Sequence, residues 1–117
     1  MITVYAYTNC GTCQKALKYL AAKKIAYREV PIREQPPSLA ELRLVLAASG
    51  GDVRRLFNVS GQDYRALKMK DRLPGMTHDE ALRLLAANGN LVKRPFVVMG
   101  KRGLVGFKPE EWKEALG

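Results

Sequence analysis

The sequence predicts an α/β protein with a mixed four-stranded sheet. Three observations lead to this class: a strand–helix–strand pattern in the first 32 residues, a long helical stretch after it, and two short β-type segments followed by a helix at the end. Hydrophobic residues make up 47% of the 117 residues, enough to bury one core without metal or disulfide support.

The first block is a predicted βαβ unit. Residues 2–7 (ITVYAY) mix β-branched and aromatic side chains, which favours a buried strand. After a polar loop comes a helix whose apolar positions are Cys13, Leu17 and Leu20. Residues 25–32 form the second predicted strand. Two strands joined by a helix over so short a distance imply parallel pairing with a right-handed crossover.

The middle block, residues 34–91, is predicted to be helical. Its two longer helices begin at capping boxes, Ser38 with Glu41 and Thr77 with Glu80, in which each side chain satisfies the other residue's backbone N–H. Shorter helices are predicted in between, one capped by Asp52 and running through Phe57, and one over Gln62–Met69.

The last block is a predicted ββα unit. It consists of a strand over Phe96–Met99, a turn at Gly100–Lys101, a strand over Gly103–Phe107, and a helix from Pro109 to Leu116. The whole pattern is that of a thioredoxin-like sandwich. We therefore expect a single domain, residues 1–117, with residues 1–33 and 92–117 as its core and 34–91 as a helical insertion.

Charge and composition narrow the functional classes. The net charge is +9, but the basic residues are scattered with no block of five, so we expect no direct nucleic-acid binding. We also expect no membrane association, since no apolar run reaches about 18 residues, and the N-terminus lacks the pattern of a signal peptide. A cytoplasmic location is expected, where cysteines are more often catalytic, redox-sensing or metal-binding than structural.

The main candidate site is the Cys10-Gly11-Thr12-Cys13 motif between the first strand and the first helix. Unpaired N–H groups and the helix dipole favour a thiolate at Cys10. Cysteines three apart on a helical turn lie close enough for a disulfide, and so small a ring adds little stability, which suits reversible exchange. The motif predicts Cys10 as the attacking nucleophile and Cys13 as the resolving thiol.

Two other interpretations of the pair remain. Both cysteines could be inert buried thiols, or the pair could bind zinc. Together with His78, the motif supplies three ligands at most, whereas a structural zinc site needs four, so no metal is predicted. His78 itself is predicted to be solvated at the start of its helix.

Arg94-Pro95 is the second candidate feature, because Pro95 begins the strand after the insertion, where thioredoxin-like folds hold a cis proline beside the active cysteine. Arg94 would then stabilise the Cys10 thiolate or hold an anionic substrate. The alternative is that Lys93-Arg94 is an ordinary surface doublet.

Four segments together resemble the arsenate reductase (ArsC) family of thioredoxin-fold proteins, in its branch close to the Spx and MgsR regulators: TNCGTCQKAL, LFNVSGQDYRAL, LPGMTHDEALRLL and KRPFVVMGKRGLVGFKPEEW. The resemblance spans the whole chain. It implies a cis Pro95, a nucleophile at Cys10 and three arginines around an oxyanion. Arg94 matches one arginine, while Asn58 and Lys108 stand at the positions of the other two. The residues that would shape the site are Thr8, Asn9, Gly11, Thr12 and Pro95.

The function predicted from these features is a thiol–disulfide oxidoreductase with an unassigned substrate, either a small molecule or a thiol-containing protein. The resemblance implies glutathione with glutaredoxin, or thioredoxin, as the electron donor, and no tightly bound cofactor is expected. Two alternatives stay open: an Spx-like redox-sensing regulator that binds RNA polymerase, and a glutaredoxin-coupled arsenate reductase.

Overall fold

A computed structural model describes residues 2–116 and contains one four-stranded mixed sheet. The strand order is β2-β1-β3-β4, with β1 and β2 parallel and the other two pairs antiparallel. The sheet confirms the predicted α/β class and its thioredoxin-like βαβ and ββα halves. The strands are β1 (Ile2–Ala6), β2 (Tyr27–Pro31), β3 (Phe96–Met99) and β4 (Arg102–Val105).

Six α-helices accompany the sheet in the described part of the chain, and both predicted capping boxes are present. The Ser38 hydroxyl accepts a hydrogen bond from the Glu41 N–H at 3.2 Å, and the Glu41 carboxylate accepts one from the Ser38 N–H at 3.0 Å. Short 3₁₀ helices span Val53–Leu56, Leu73–Gly75 and Gly89–Leu91. The α-helices are α1 (Gly11–Ala22), α2 (Leu39–Ala48), α3 (Gln62–Ala66), α4 (Met69–Arg72), α5 (His78–Ala87) and α6 (Pro109–Leu116).

The alternation of side chains along the strands divides the core into two layers. Tyr5 and Phe96 point to the layer that contains the buried faces of α2 and α5. Val4 and Val97, which oppose each other across β1 and β3, point to the layer formed with α1 and α6. Trp112 of α6 is 1% exposed in this second layer, and its indole Nε1–H donates to the Gly106 carbonyl at 3.1 Å.

Several predicted boundaries differ from those of the structure. The first two strands are shorter than the predicted 2–7 and 25–32, since β1 ends at Ala6 and β2 spans Tyr27–Pro31. The helix expected over Gln62–Met69 is interrupted, because Lys68 adopts a left-handed conformation (φ 54°) that ends α3 and starts α4. The strand expected over Gly103–Phe107 begins at Arg102 and ends at Val105, because Gly106 has φ 70° and turns the chain towards α6. No local sequence pattern marks Lys68 as left-handed, whereas Gly106 is of the residue type that adopts a positive φ most readily.

An isolated antiparallel β-bridge pairs Phe57, in the middle block of the chain, with Val92, shortly before β3. Two backbone hydrogen bonds flank it: the Lys93 N–H donates to the Leu56 carbonyl at 2.8 Å, and the Asn58 N–H donates to the Leu91 carbonyl at 2.7 Å. The bridge holds the chain before β3 in a fixed position. Within residues 2–116, none of the helices is long and apolar enough to cross a membrane.

Candidate functional site

Cys10 caps the N-terminus of α1, as the sequence predicts. Its backbone is extended (φ −91°, ψ 117°), and its carbonyl accepts the first helical hydrogen bond, from the Gln14 N–H at 3.0 Å. The first turn of α1 has no acidic residue, so no carboxylate there opposes a negative charge on the Cys10 sulfur. The side chain is partly exposed, and a Cβ added at the neighbouring Gly11 would meet no atom within 4 Å. Space is therefore open at the first residue of α1, next to Cys10 in the chain.

Cys13 lies one turn further along α1 and is 1% exposed, in the core layer with Val97 and Trp112. The pKa of the Cys13 thiol is raised to about 12, mainly by burial and in smaller part by the contact with the Cys10 side chain. A backbone hydrogen bond from Tyr7 and the charge of Arg94 act in the opposite direction and lower that pKa. The pair is therefore asymmetric: Cys13 stays protonated at neutral pH and touches a sulfur that solvent can reach.

Arg94 lies near enough to the cysteine pair for its charge to act on Cys13, so it is not merely part of a surface Lys93-Arg94 doublet. The peptide bond between Arg94 and Pro95 is cis, as the resemblance implies, and Pro95 is buried. The Arg94 guanidinium donates to the Asn90 carbonyl at 3.0 Å and sits 5.6 Å from the centre of the Tyr7 ring. Its Nε is buried and has no hydrogen-bond partner among the residues that the structure describes. A buried donor with no acceptor favours an anion at this position.

A cavity of about 370 Å³, here called the Arg94 cavity, opens beside this guanidinium. Asn58 lines it, so the structure brings together two of the three residues predicted to bind an anion. The Asn58 amide is packed against Gly61, where an added Cβ would come within 2.7 Å of the Asn58 Nδ2. The Arg94 cavity is lined by Tyr7, Arg33, Asn58, Gly61, Gln62, Asp63, Asn90 and Arg94.

Lys108, the third predicted anion-binding residue, lines a different cavity together with Lys93. Phe57 lines this second cavity with Lys93, whereas Asn58 and Arg94 line the first, and the two cavities share no lining residue. Lys108 is exposed, and its Nζ lies 3.7 Å from the Glu111 carboxylate.

Sequence reasoning missed Arg33 and Tyr7. The Arg33 guanidinium lies 4.8 Å from the centre of the Tyr7 ring, so Arg33 and Arg94 both contact this ring, and all three side chains line the Arg94 cavity. A signal was available: Tyr7 follows β1 and Arg33 follows β2, and the carboxyl ends of parallel strands meet at one edge of a sheet. The predicted βαβ unit could have placed both residues at this edge of the sheet.

The loop before the pair is held by a few polar contacts. The Cys10 N–H donates to the Tyr7 carbonyl at 3.0 Å, the Gln14 side chain donates to the Thr8 carbonyl at 2.9 Å, and the Asn9 amide donates to the Tyr7 hydroxyl at 3.3 Å. Around Cys10, the exposed residues are Thr8, Asn9, Gly11 and Thr12.

His78, the third metal ligand considered from the sequence, is exposed at the start of α5. Among residues 2–116, no three Cys, His, Asp or Glu side chains converge as metal ligands would.

Comparison with known proteins finds relatives that match nearly the whole chain. The ArsC family model matches residues 5–115. YusI of Bacillus subtilis, an uncharacterized protein, is 44% identical over 113 residues, covering 97% of this chain and 96% of YusI. The regulatory protein MgsR of B. subtilis is 27% identical over 110 residues, covering 94% of this chain and 86% of MgsR. The crystal structure of a possible arsenate reductase from Streptococcus mutans UA159 superposes with a TM-score of 0.88 at 37% identity, covering 97% of this chain and 98% of that one.

Proposed function

Because the chain belongs to the ArsC family, we propose that it is a thiol–disulfide oxidoreductase whose redox pair is Cys10 and Cys13. The observation that carries this proposal is the asymmetry of the pair. Cys10 is reachable at the positive end of a helix, whereas Cys13 is buried, protonated and in contact with it. An attacking thiolate and a protected resolving thiol need these two environments.

The exchange has two steps. The Cys10 thiolate attacks one sulfur of a substrate disulfide, that S–S bond breaks, and the departing sulfur leaves as a thiolate. Cys13 then attacks the Cys10 sulfur of the mixed disulfide, forming the Cys10–Cys13 disulfide and releasing the second substrate thiol. The Cys13 proton goes to the leaving sulfur, and the charge of Arg94 assists its loss. An external thiol donor, such as glutathione with glutaredoxin or thioredoxin, then reduces the pair.

The Arg94 cavity indicates the kind of substrate. Arg33 and Arg94 supply two guanidinium groups, and Asp63 supplies the one carboxylate among the lining residues. Neither cysteine lines this cavity, and Arg94, whose charge acts on Cys13, connects the two. The net positive charge of the cavity suits a substrate whose disulfide lies near a carboxylate or another anionic group.

The test uses three matched forms of the full chain with a small disulfide, 2-hydroxyethyl disulfide. The wild type should end with an internal disulfide, Cys13→Ser should stop at a mixed disulfide on Cys10, and Cys10→Ser should form neither at a comparable rate. Mass spectrometry distinguishes the three products. Mixed-disulfide formation by Cys10→Ser as fast as by Cys13→Ser would contradict the assigned roles. If Cys13→Ser stops at the mixed disulfide as expected, the same variant can capture natural partners from a lysate for identification.

The similarity to MgsR supports a second candidate, a redox-switched regulator in which the same pair acts as a sensor. In this case the positively charged surface would bind an acidic protein. The resemblance to the Spx regulators points to RNA polymerase as that partner. Pull-downs of the oxidised and the reduced chain separate the two functions. Recovery of polymerase subunits in only one redox state favours the regulator, and trapped substrates with no polymerase favour the enzyme.

Arsenate reduction is a third candidate, favoured by the two guanidinium groups of the Arg94 cavity. Asn58 offers an amide there in place of a third positive charge, so we expect slow turnover of a doubly charged oxyanion. An assay coupled to glutaredoxin, glutathione and NADPH measures it. Asn58→Arg should raise the rate, and no activity in either form would remove this candidate.

A further inference from the structure

A second cavity, of about 350 Å³, shares no lining residue with the Arg94 cavity and is here called the Lys93 cavity. Four cationic side chains line it. They come from three separate parts of the chain: the 3₁₀ turn after α2, the bridge segment, and the start of α6. The four are Arg54, Arg55, Lys93 and Lys108. Like charges repel, so such convergence is costly unless an anion compensates it.

Two carboxylates compensate part of this charge. Asp52 lines the cavity, and its carboxylate also accepts a hydrogen bond from the Arg54 N–H at 3.2 Å. The Glu111 carboxylate lies outside the lining, 3.9 Å from the Arg55 guanidinium and 3.7 Å from the Lys108 Nζ. Four positive and two negative groups leave two positive charges, which a dianion would balance.

The cavity also has an apolar side, to which Val59 contributes most of the accessible surface, because it is 37% exposed. The nearly buried side chains of Phe57 and Val105 line the rest of this side. An apolar surface next to cations suits a ligand with both an anionic and an apolar part.

Parts of the site are held in place before any ligand arrives. The Arg55 guanidinium donates to the Ser49 carbonyl at 3.4 Å, and the Lys93 backbone is fixed by its hydrogen bond to Leu56. The Lys93 stem passes over Gly106, where an added Cβ would lie 3.3 Å from the Lys93 Cε. Ordered cations lose less entropy when they bind an anion.

From this charge balance and shape we propose that the Lys93 cavity binds a small phosphomonoester with an apolar or aromatic group. A phosphomonoester carries about −1.5 to −2 at neutral pH, which matches the uncompensated charge. The volume lies at the lower end of small-ligand pockets, which are about 300–1,000 Å³, so a small metabolite fits. The site does not use the cysteine pair, so its success or failure is independent of the redox function.

The test titrates the isotope-labelled full chain with three probes and follows backbone amides by NMR. Phenyl phosphate offers charge and ring, inorganic phosphate charge alone, and benzyl alcohol the ring alone. Phenyl phosphate should bind most tightly and shift the amides of Phe57, Lys93 and Val105. Inorganic phosphate should bind more weakly at the same amides. Shifts centred on the Arg94 cavity, or none, would overturn the proposal.

Three variants complete the design. Lys93→Gln should weaken phenyl phosphate binding about three- to tenfold, the loss expected for one charge-assisted contact. Lys108→Gln, at an exposed position, should act in the same direction and keeps the test valid if Lys93→Gln disturbs the bridge. Lys113→Gln, which removes a lysine of α6 outside the cavity, is the matched control and should leave binding unchanged. Equal effects of all three would mean that only overall charge matters, which contradicts a built site.

Discussion

The protonation of Cys13 can be tested by removing its partner thiol. In Cys10→Ser, two of the influences on Cys13 disappear, the contact with Cys10 and the Cys10 charge, but the largest one, burial, remains. The pKa of Cys13 in this variant should therefore lie below the value of about 12 that it has beside Cys10, but above the ordinary 9.0. At a pKa of about 12 a thiol is ionised to about 1 part in 10⁴ at pH 8, against about 1 in 10 at 9.0. The thiolate is the reactive form, so alkylation of Cys13 should be slower than that of an ordinary thiol, by up to about 1,000-fold.

The assay follows reaction with iodoacetamide by mass spectrometry between pH 7 and pH 10.5. The rate for folded Cys10→Ser should continue to rise above pH 9, whereas the same protein unfolded in urea should level off near pH 9. Cys13→Ser, which keeps the partly exposed Cys10, serves as the reactive control. If folded Cys10→Ser levels off near pH 9, the assignment of Cys13 as a protected resolving thiol is refuted.

Three further changes concern stability. Tyr5→Phe removes the 2.7 Å hydrogen bond from the Tyr5 hydroxyl to the capping carboxylate of α2, and urea unfolding should register a loss of about 1–2 kcal/mol. Gly89→Ala would push its Cβ against the Ile32 carbonyl, whose carbon would be 2.8 Å away, and should cost about 3 kcal/mol, whereas Gly75→Ala meets nothing within 4 Å and should change little in the same measurement. Alkaline pH should also destabilise the fold. In the folded chain the pKa values of Cys13 and Tyr5 are each raised to about 12, from the ordinary values of 9.0 and 10.0. The unfolded chain therefore loses these two protons at lower pH, so their contribution to the free energy of unfolding is complete below pH 9 and is lost as pH rises towards 12. A urea midpoint that stays constant from pH 8 to pH 11 would contradict this reasoning.

Much of the fold was predictable because its determinants are local. Each capping box lies within four consecutive residues, and Ser38 and Thr77 mark the starts of α2 and α5 as expected. The CxxC motif was predictable for the same reason: one helical turn fixes the relation of Cys10 to Cys13. Left-handed turns at single residues, such as Lys68, depend on distant packing and were missed.

The candidate site was only partly predictable because it depends on contacts between distant segments. The Phe57–Val92 bridge joins residues 35 positions apart, and the cavities also draw on distant segments: Asn58 and Arg94 line one, whereas Lys93 and Lys108 line the other. No spacing pattern in the sequence encodes this pairing. Arg33 was missed because its place in the site follows from strand pairing: it comes shortly after β2, at the same sheet edge as Tyr7 after the parallel strand β1.

Trp112 gives the chain a built-in optical probe. It is the single tryptophan in the sequence, it is almost completely shielded from water, and it shares a core layer with Cys13. Indole emission shifts to longer wavelength when solvent enters, so loosening of the layer that protects the resolving sulfur should be visible as intrinsic fluorescence, without an added dye or an engineered reporter.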